Sequence, residues 1–367
     1  MEMEEDRERK KETGFISSLK GFAPFAAMVF VEFGEVGMLT FTKASMNAGI
    51  STFVYLVYYN SLGVILLFPF FLYRIYRNKQ SDLTFALLFR FFLLGLFGRS
   101  LLLFGYTGIR YSSPALAAAI NNLVPVFTFL LAIIFKIEKM DLKNVSSVAK
   151  FLGTIVAVSG ALVDTLYKGP PIISGTSQSA LDPQALAADD SKWALGGLLL
   201  GISAFSIATW NILQAATVKL YPEKISVVFF FSLFGTLQCA IIAFIVEKDP
   251  IAWIIPPGIP TVAIIYAGTF GIAIRFNIIT WCLHEKGPLF VTMFKPLGMV
   301  IAVISGMVLL GDALYLGSVI GAGIIAVGFY MVMWGQGKES KVTPSLTKER
   351  KSLWKKLSQR WNRKAQL

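Results

Sequence analysis

Residues 114–138 read PALAAAINNLVPVFTFLLAIIFKIE, and residues 288–312 read PLFVTMFKPLGMVIAVISGMVLLGD. Each stretch opens on a proline, carries a second proline in its first half, and closes on an acid, Glu138 or Asp312, 24 residues after its start. A glycine pair precedes each, Gly95 and Gly98 before the first and Gly268 and Gly271 before the second. One unit therefore recurs about 174 residues further along the chain. Both copies are apolar and too long for soluble helices. A helix rising 1.5 Å per residue needs roughly 20 apolar residues to cross about 30 Å of hydrocarbon. An internal duplication in a membrane protein points to transport, because two related halves can rock about a shared site.

Working outward, ten apolar segments can be marked, at 22–43, 51–73, 86–109, 114–136, 147–166, 194–218, 226–246, 259–282, 288–310 and 315–335. The 367-residue chain is 55% hydrophobic and only 15% charged, against about 25% charged for a soluble domain. The expected architecture is an all-α integral membrane protein of ten transmembrane helices. Segment 167–193, rich in Pro, Ser, Gly and Asp, reads as a linker between a first five-helix repeat at 22–166 and a second at 194–335. A terminal region, 1–21, and a basic tail, 336–367, flank them. Met1 to Glu12 is a mixed-charge run rather than a secretory signal, so the first span should act as an uncleaved anchor.

Orientation follows from the lysines and arginines. With the N-terminus inside, 26 of the 34 basic residues fall on the inner side, five on the outer side, and Arg99, Arg275 and Lys295 within spans. Both termini are therefore expected in the cytoplasm. Five spans per half make the repeats inverted, related by an axis in the membrane plane. The net charge of +12 follows this topology and the basic tail, so no nucleic-acid partner is expected. The Asn144-Val-Ser146 sequon falls on the inner side and should stay unmodified. In the tail, Leu353, Trp354, Leu357 and Trp361 share one helical face, suited to lying on anionic lipid, while Arg360 and Lys364 crowd that face and make a disordered, solvated tail the alternative.

Ten spans as five plus five, with the closing pattern Leu310-Gly311-Asp312-Ala-Leu-Tyr-Leu-Gly317-Ser-Val-Ile-Gly321, resemble the drug/metabolite transporter superfamily. Tyr-Tyr-Asn at 58–60, Gly105-Tyr106, Ser113 to Pro125 and Gly328-Phe-Tyr330 narrow the resemblance. It is to the plant EamA-type, nodulin-like branch, which holds the Walls Are Thin-related proteins and the UMAMIT amino-acid transporters. Where that family usually has glutamate, this chain has Asp312. The resemblance implies a transporter of amino acids, facilitative or proton-coupled, with the plasma membrane favoured over the vacuolar membrane. Auxin or another weak organic acid is the alternative substrate. A receptor or scaffold that keeps the fold and moves nothing is the alternative of a different class.

Ionisable groups inside spans are costly and usually face a cavity or a partner. Glu32 and Glu35 lie three residues apart on one face of the first span. Arg99 sits in the third span, Arg275 in the eighth and Lys295 in the ninth. These are candidate pathway residues, the cations for a substrate carboxylate and the glutamates for a substrate ammonium or a proton. The bland reading is ion pairing that merely holds helices together. Pro125 and Pro296 lack an N–H and should break their helices, freeing the carbonyls of Asn121 and Thr292. Asn121 and Lys295 are equivalent in the repeat, and Asn211 and Gln214 mirror the first span, so all join the candidates. Asn60, Asn122, Gln238 and Asn277 read as hydrogen bonds between helices. Trp210 and Trp281 are possible pathway linings, though packing is the commoner use. Cys239 and Cys282 read as small buried hydrophobes, and one histidine, His284, leaves no His-based metal site. Phosphate-loop and nucleophile–base spacings are missing, so neither enzyme chemistry nor a cofactor is expected.

Overall fold

The computed structural model describes residues 2–77, 83–100, 102–112, 114–138, 143–167, 169–173, 190–221, 223–305, 307 and 314–338. Asp312, most of the linker and the tail beyond residue 338 lie outside them. Among the described residues, nine helices are long and apolar enough to span a membrane: Phe22–Asn47, Thr52–Arg77, Phe85–Ile109, Val145–Leu166, Trp193–Leu220, Lys224–Val246, Ile259–Lys286, Pro288–Ser305 and Leu316–Lys338. The fourth expected span makes the tenth, as two shorter helices, Pro114–Asn121 and Val124–Ile134. We number the ten spans in chain order. The protein is a multi-pass membrane protein with a ten-helix fold.

The break in the fourth span lies where proline chemistry puts it. Pro125 occupies the opening turn of the second piece, where a missing N–H costs no hydrogen bond. Its counterpart behaves differently, and the expected break at Pro296 is corrected: the ninth span runs through that proline as one helix, Pro288–Ser305. Packing explains the difference. The rings of Phe290 and Phe294 meet at 5.1 Å, and Phe294 meets Phe25 and Phe329 at 5.5 and 5.1 Å. Side chains locked on both sides of one lost hydrogen bond hold the helical path.

The halves meet over a long seam. The second span packs on the seventh, the third on the sixth, and the first on the ninth. Aromatic rings fill the seam between the second, third and seventh spans, with Phe71 stacked on Phe229 at 4.3 Å and Phe91 on Phe230 at 5.2 Å. The last spans of the two halves instead touch by backbone. A Cβ on Gly328 would lie 2.3 Å from the Ala157 nitrogen, and one on Gly160 would lie 2.7 Å from the Ile325 nitrogen. A two-stranded antiparallel ladder also joins Pro171–Ile173 of the linker to Leu314–Tyr315. It is a small β addition to an otherwise helical protein. Asn144 caps the fifth span by accepting from the Ser146 N–H at 3.0 Å, which fills an orphan donor of that helix.

The third and eighth spans each carry a stretch of wide, π-type turns. Leu96–Ser100 in the third contains Arg99, and Ala267–Arg275 in the eighth ends on Arg275. Such turns cluster at functional sites because they rotate side chains off the regular helical register. They fall in equivalent spans of the two halves, just where each glycine pair stands.

Candidate functional site

The first span brings Glu32 and Glu35 to the ninth and eighth spans, as their shared face requires. Glu35 Oε2 accepts from Lys295 Nζ at 2.6 Å and from Arg275 Nε and Nη2 at 3.1 and 2.9 Å. Lys295 Nζ also stands 3.5 Å from Glu32 Oε1, which has no hydrogen-bond donor of its own among the described residues. Two carboxylates and two cations thus form one neutral cluster across the halves. Their burial is uneven. The Glu32 side chain is 4% exposed, Arg275 14%, Glu35 19% and Lys295 30%. The lysine is the open side of the cluster.

The ninth span is shaped for this. A Cβ on Gly298 would fall 2.3 Å from Glu32 Oε2, so the Glu32 carboxylate occupies the place of a missing side chain. Gly298 lies three residues after Lys295 and therefore on the same face. This glycine escaped sequence reasoning; a glycine one turn from an intramembrane lysine was the available signal. Arg275 is steadied from behind by Phe276, whose ring centre lies 5.0 Å from its guanidinium carbon, a favourable cation–π distance.

Arg99 is placed apart from the carboxylates. It is 4% exposed and donates to Asn60 Oδ1 and, at 3.4 Å, to Ser232 Oγ. Its guanidinium carbon lies 4.5 Å from the centre of the same Phe276 ring. The two arginines therefore share one phenyl ring.

The remaining candidates do not join the cluster. Asn121 is exposed at the end of the first piece of the fourth span. Its neighbour Asn122 is the buried one, and its amide reaches Thr165 Oγ1 at 3.5 Å and Met299 Sδ at 3.4 Å. Asn211 donates to the Ile207 carbonyl of its own helix at 2.9 Å. Gln214, fully buried, donates to Thr280 Oγ1 and so ties the sixth span to the eighth. Glu138 holds the Lys150 ammonium at 2.6 Å, an ion pair between the end of the fourth span and the fifth. Trp210, Cys239 and Cys282 are all buried.

An inverted-repeat helical membrane protein with charges buried where its halves meet has the build of a small-solute transporter. A family profile described as the EamA-like transporter family matches residues 24–163 and again 194–334. The chain belongs to that family, within the drug/metabolite transporter superfamily. It is 42% identical over 324 residues to WAT1-related protein At5g40240 of Arabidopsis thaliana, covering 87% of this chain and 88% of that protein. It is also 42% identical over 318 residues to WAT1-related protein At3g28050 of the same plant, with 86% of each covered. Among the solved structures that match is a protein crystal structure with a TM-score of 0.60 at 14% identity, covering 85% of this chain and 98% of its own. At that identity the likeness speaks for the fold alone.

Proposed function

We propose that the chain moves amino acids by alternating access, with Lys295 and Arg275 receiving the solute carboxylate and Glu32 and Glu35 its ammonium. One observation carries this. Glu35 Oε2 is shared by cations from two different spans, one of them the 30%-exposed Lys295. A carboxylate brought by a solute can take the place of Glu35 on those cations at little electrostatic cost. The released Glu35, beside Glu32, then faces the solute's positive end. A neutral cluster of two acids and two bases complements a zwitterion, since either end finds an opposite charge. The same exchange serves a coupled proton if Glu35 is neutralised when it leaves the cations.

A weak organic acid of the auxin type would use the two cations but bring no positive end for the glutamates, so the amino-acid reading is favoured. The lysine and arginine distribution supports cytoplasmic termini, and the plasma membrane is the favoured location. Uptake of a panel of labelled amino acids into proteoliposomes tests the proposal. Saturable uptake of at least one is expected. A flat trace across the panel with monodisperse protein would favour a receptor or scaffold on the same fold.

A further inference from the structure

Arg99 is a further buried cation, and unlike Lys150, Lys295 and Arg275 it has no acid within salt-bridge distance among the described residues. Its hydrogen-bond acceptors, Asn60 Oδ1 and Ser232 Oγ, are neutral, and the Tyr59 hydroxyl and Cys239 thiol lie near it. Its Nε has no acceptor among the described residues. Burying a guanidinium without a counter-charge costs several kcal/mol, and buried charges are ordinarily paired. The fold nevertheless makes room for this one. A Cβ on Gly235 would fall 2.5 Å from Arg99 Cγ, so the seventh span omits a side chain where the arginine lies.

A second donor stands next to it without an acceptor. Trp210 is 6% exposed, its Nε1 has no partner among the described residues, and a Cβ on Gly98, the residue before Arg99, would lie 2.6 Å from that nitrogen. The rings of Trp210, Phe231 and Phe276 pack edge to face at 5.3–5.9 Å. The Arg99 guanidinium carbon lies 4.5 Å from Phe276 and 5.7 Å from Phe231. Among the described residues, two buried N–H groups whose side chains pack on the same Phe231 and Phe276 rings thus lack acceptors, and one of them is charged. They come from spans of different halves, the third and the sixth.

We propose that Arg99 and Trp210 form an anion site that takes one monovalent group, a halide ion or a carboxylate head, separate from the Lys295 cluster. Arg99 supplies the charge and Nε–H, Trp210 a neutral N–H, and the aromatic triangle a dry setting in which both bonds are strengthened. Arg99 and Arg275 both lie within 5.0 Å of the Phe276 ring centre, so an anion held by Arg99 also sits close to the proposed solute pathway. It does not depend on the solute being an amino acid.

The test is thermal unfolding of the purified full chain in detergent, in gluconate buffer of constant ionic strength. Sodium chloride and, separately, sodium acetate replace gluconate. A ligand that binds only the folded state raises the melting temperature saturably. We expect that rise with chloride, acetate or both. Chloride alone identifies a free halide site, and acetate a carboxylate site. Arg99→Gln should abolish the rise. Trp210→Phe, which keeps ring and charge and loses one charge-assisted bond, should weaken apparent affinity about tenfold. Lys295→Met should keep the rise. No saturable rise with either anion overturns the site, as does a wild-type response in Trp210→Phe. A rise lost in Lys295→Met and kept in Arg99→Gln would move the anion to the other cluster.

Discussion

Replacing Lys295 by methionine removes an ammonium 2.6 Å from Glu35 Oε2 and 3.5 Å from Glu32 Oε1, and leaves an apolar stem of similar length. A hydrogen bond to a charged group contributes about 1.5–3 kcal/mol net. The lysine side chain is 30% exposed, which screens it and sets the expectation at the low end, about 1.5 kcal/mol. That is roughly tenfold in affinity for a solute carboxylate. Glu35 keeps its two bonds from Arg275 at 2.9 and 3.1 Å, so the first and eighth spans should stay joined. The assay is initial-rate uptake in proteoliposomes across a range of amino-acid concentrations, with monodispersity checked by size exclusion. The Lys295→Met protein should elute as the wild type does and show a KM raised about tenfold or more, and Lys295→Arg should recover part of the loss. A monodisperse Lys295→Met protein with the wild-type KM would refute the assignment of Lys295 to the solute.

Other perturbations bear on the same geometry. Glu35→Gln should leave uptake insensitive to pH, and an unchanged pH profile would make Glu35 a structural ion-pair partner. Gly298→Ala puts a methyl group 2.3 Å from Glu32 Oε2, so the buried carboxylate must shift; a several-fold rise in KM with normal expression is expected, and wild-type kinetics would show that the notch is incidental. Gly328→Leu places a side chain where a Cβ alone would be 2.3 Å from the Ala157 nitrogen. Backbone must then part from backbone, at about 1–3 kcal/mol or more, seen as a lower melting temperature, whereas Gly323→Ala, with nothing within 4 Å, should not lower it. Equal melting temperatures for the two would contradict the close packing of the fifth and tenth spans.

Much of the fold was legible because the bilayer imposes it. Spans must be long, apolar and helical, and the duplicated proline stretches exposed the two halves. The three-residue spacing of Glu32 and Glu35 also carried over directly, since it fixes a shared face whatever the neighbours are. Rotation of one helix against another was not legible. Repeat alignment chose Asn121, yet the break ahead of Pro125 leaves that residue exposed and buries Asn122. Pro125 and Pro296 have the same local chemistry, and only the aromatic packing around Phe290 and Phe294 decides that one helix breaks and the other continues. Gly298 lies in no motif. Its role comes from a carboxylate that another span, more than 260 residues earlier, brings against it. The wide turns at Arg99 and Arg275 likewise depend on packing rather than on local propensity.

The most direct measurement is a structure of the protein bound to an amino acid that it transports. The account predicts the solute carboxylate within hydrogen-bond distance of Lys295 and Arg275, with Glu35 displaced from both and close to the solute ammonium. A solute bound elsewhere, with the Glu35 bonds to Lys295 and Arg275 intact, would contradict it.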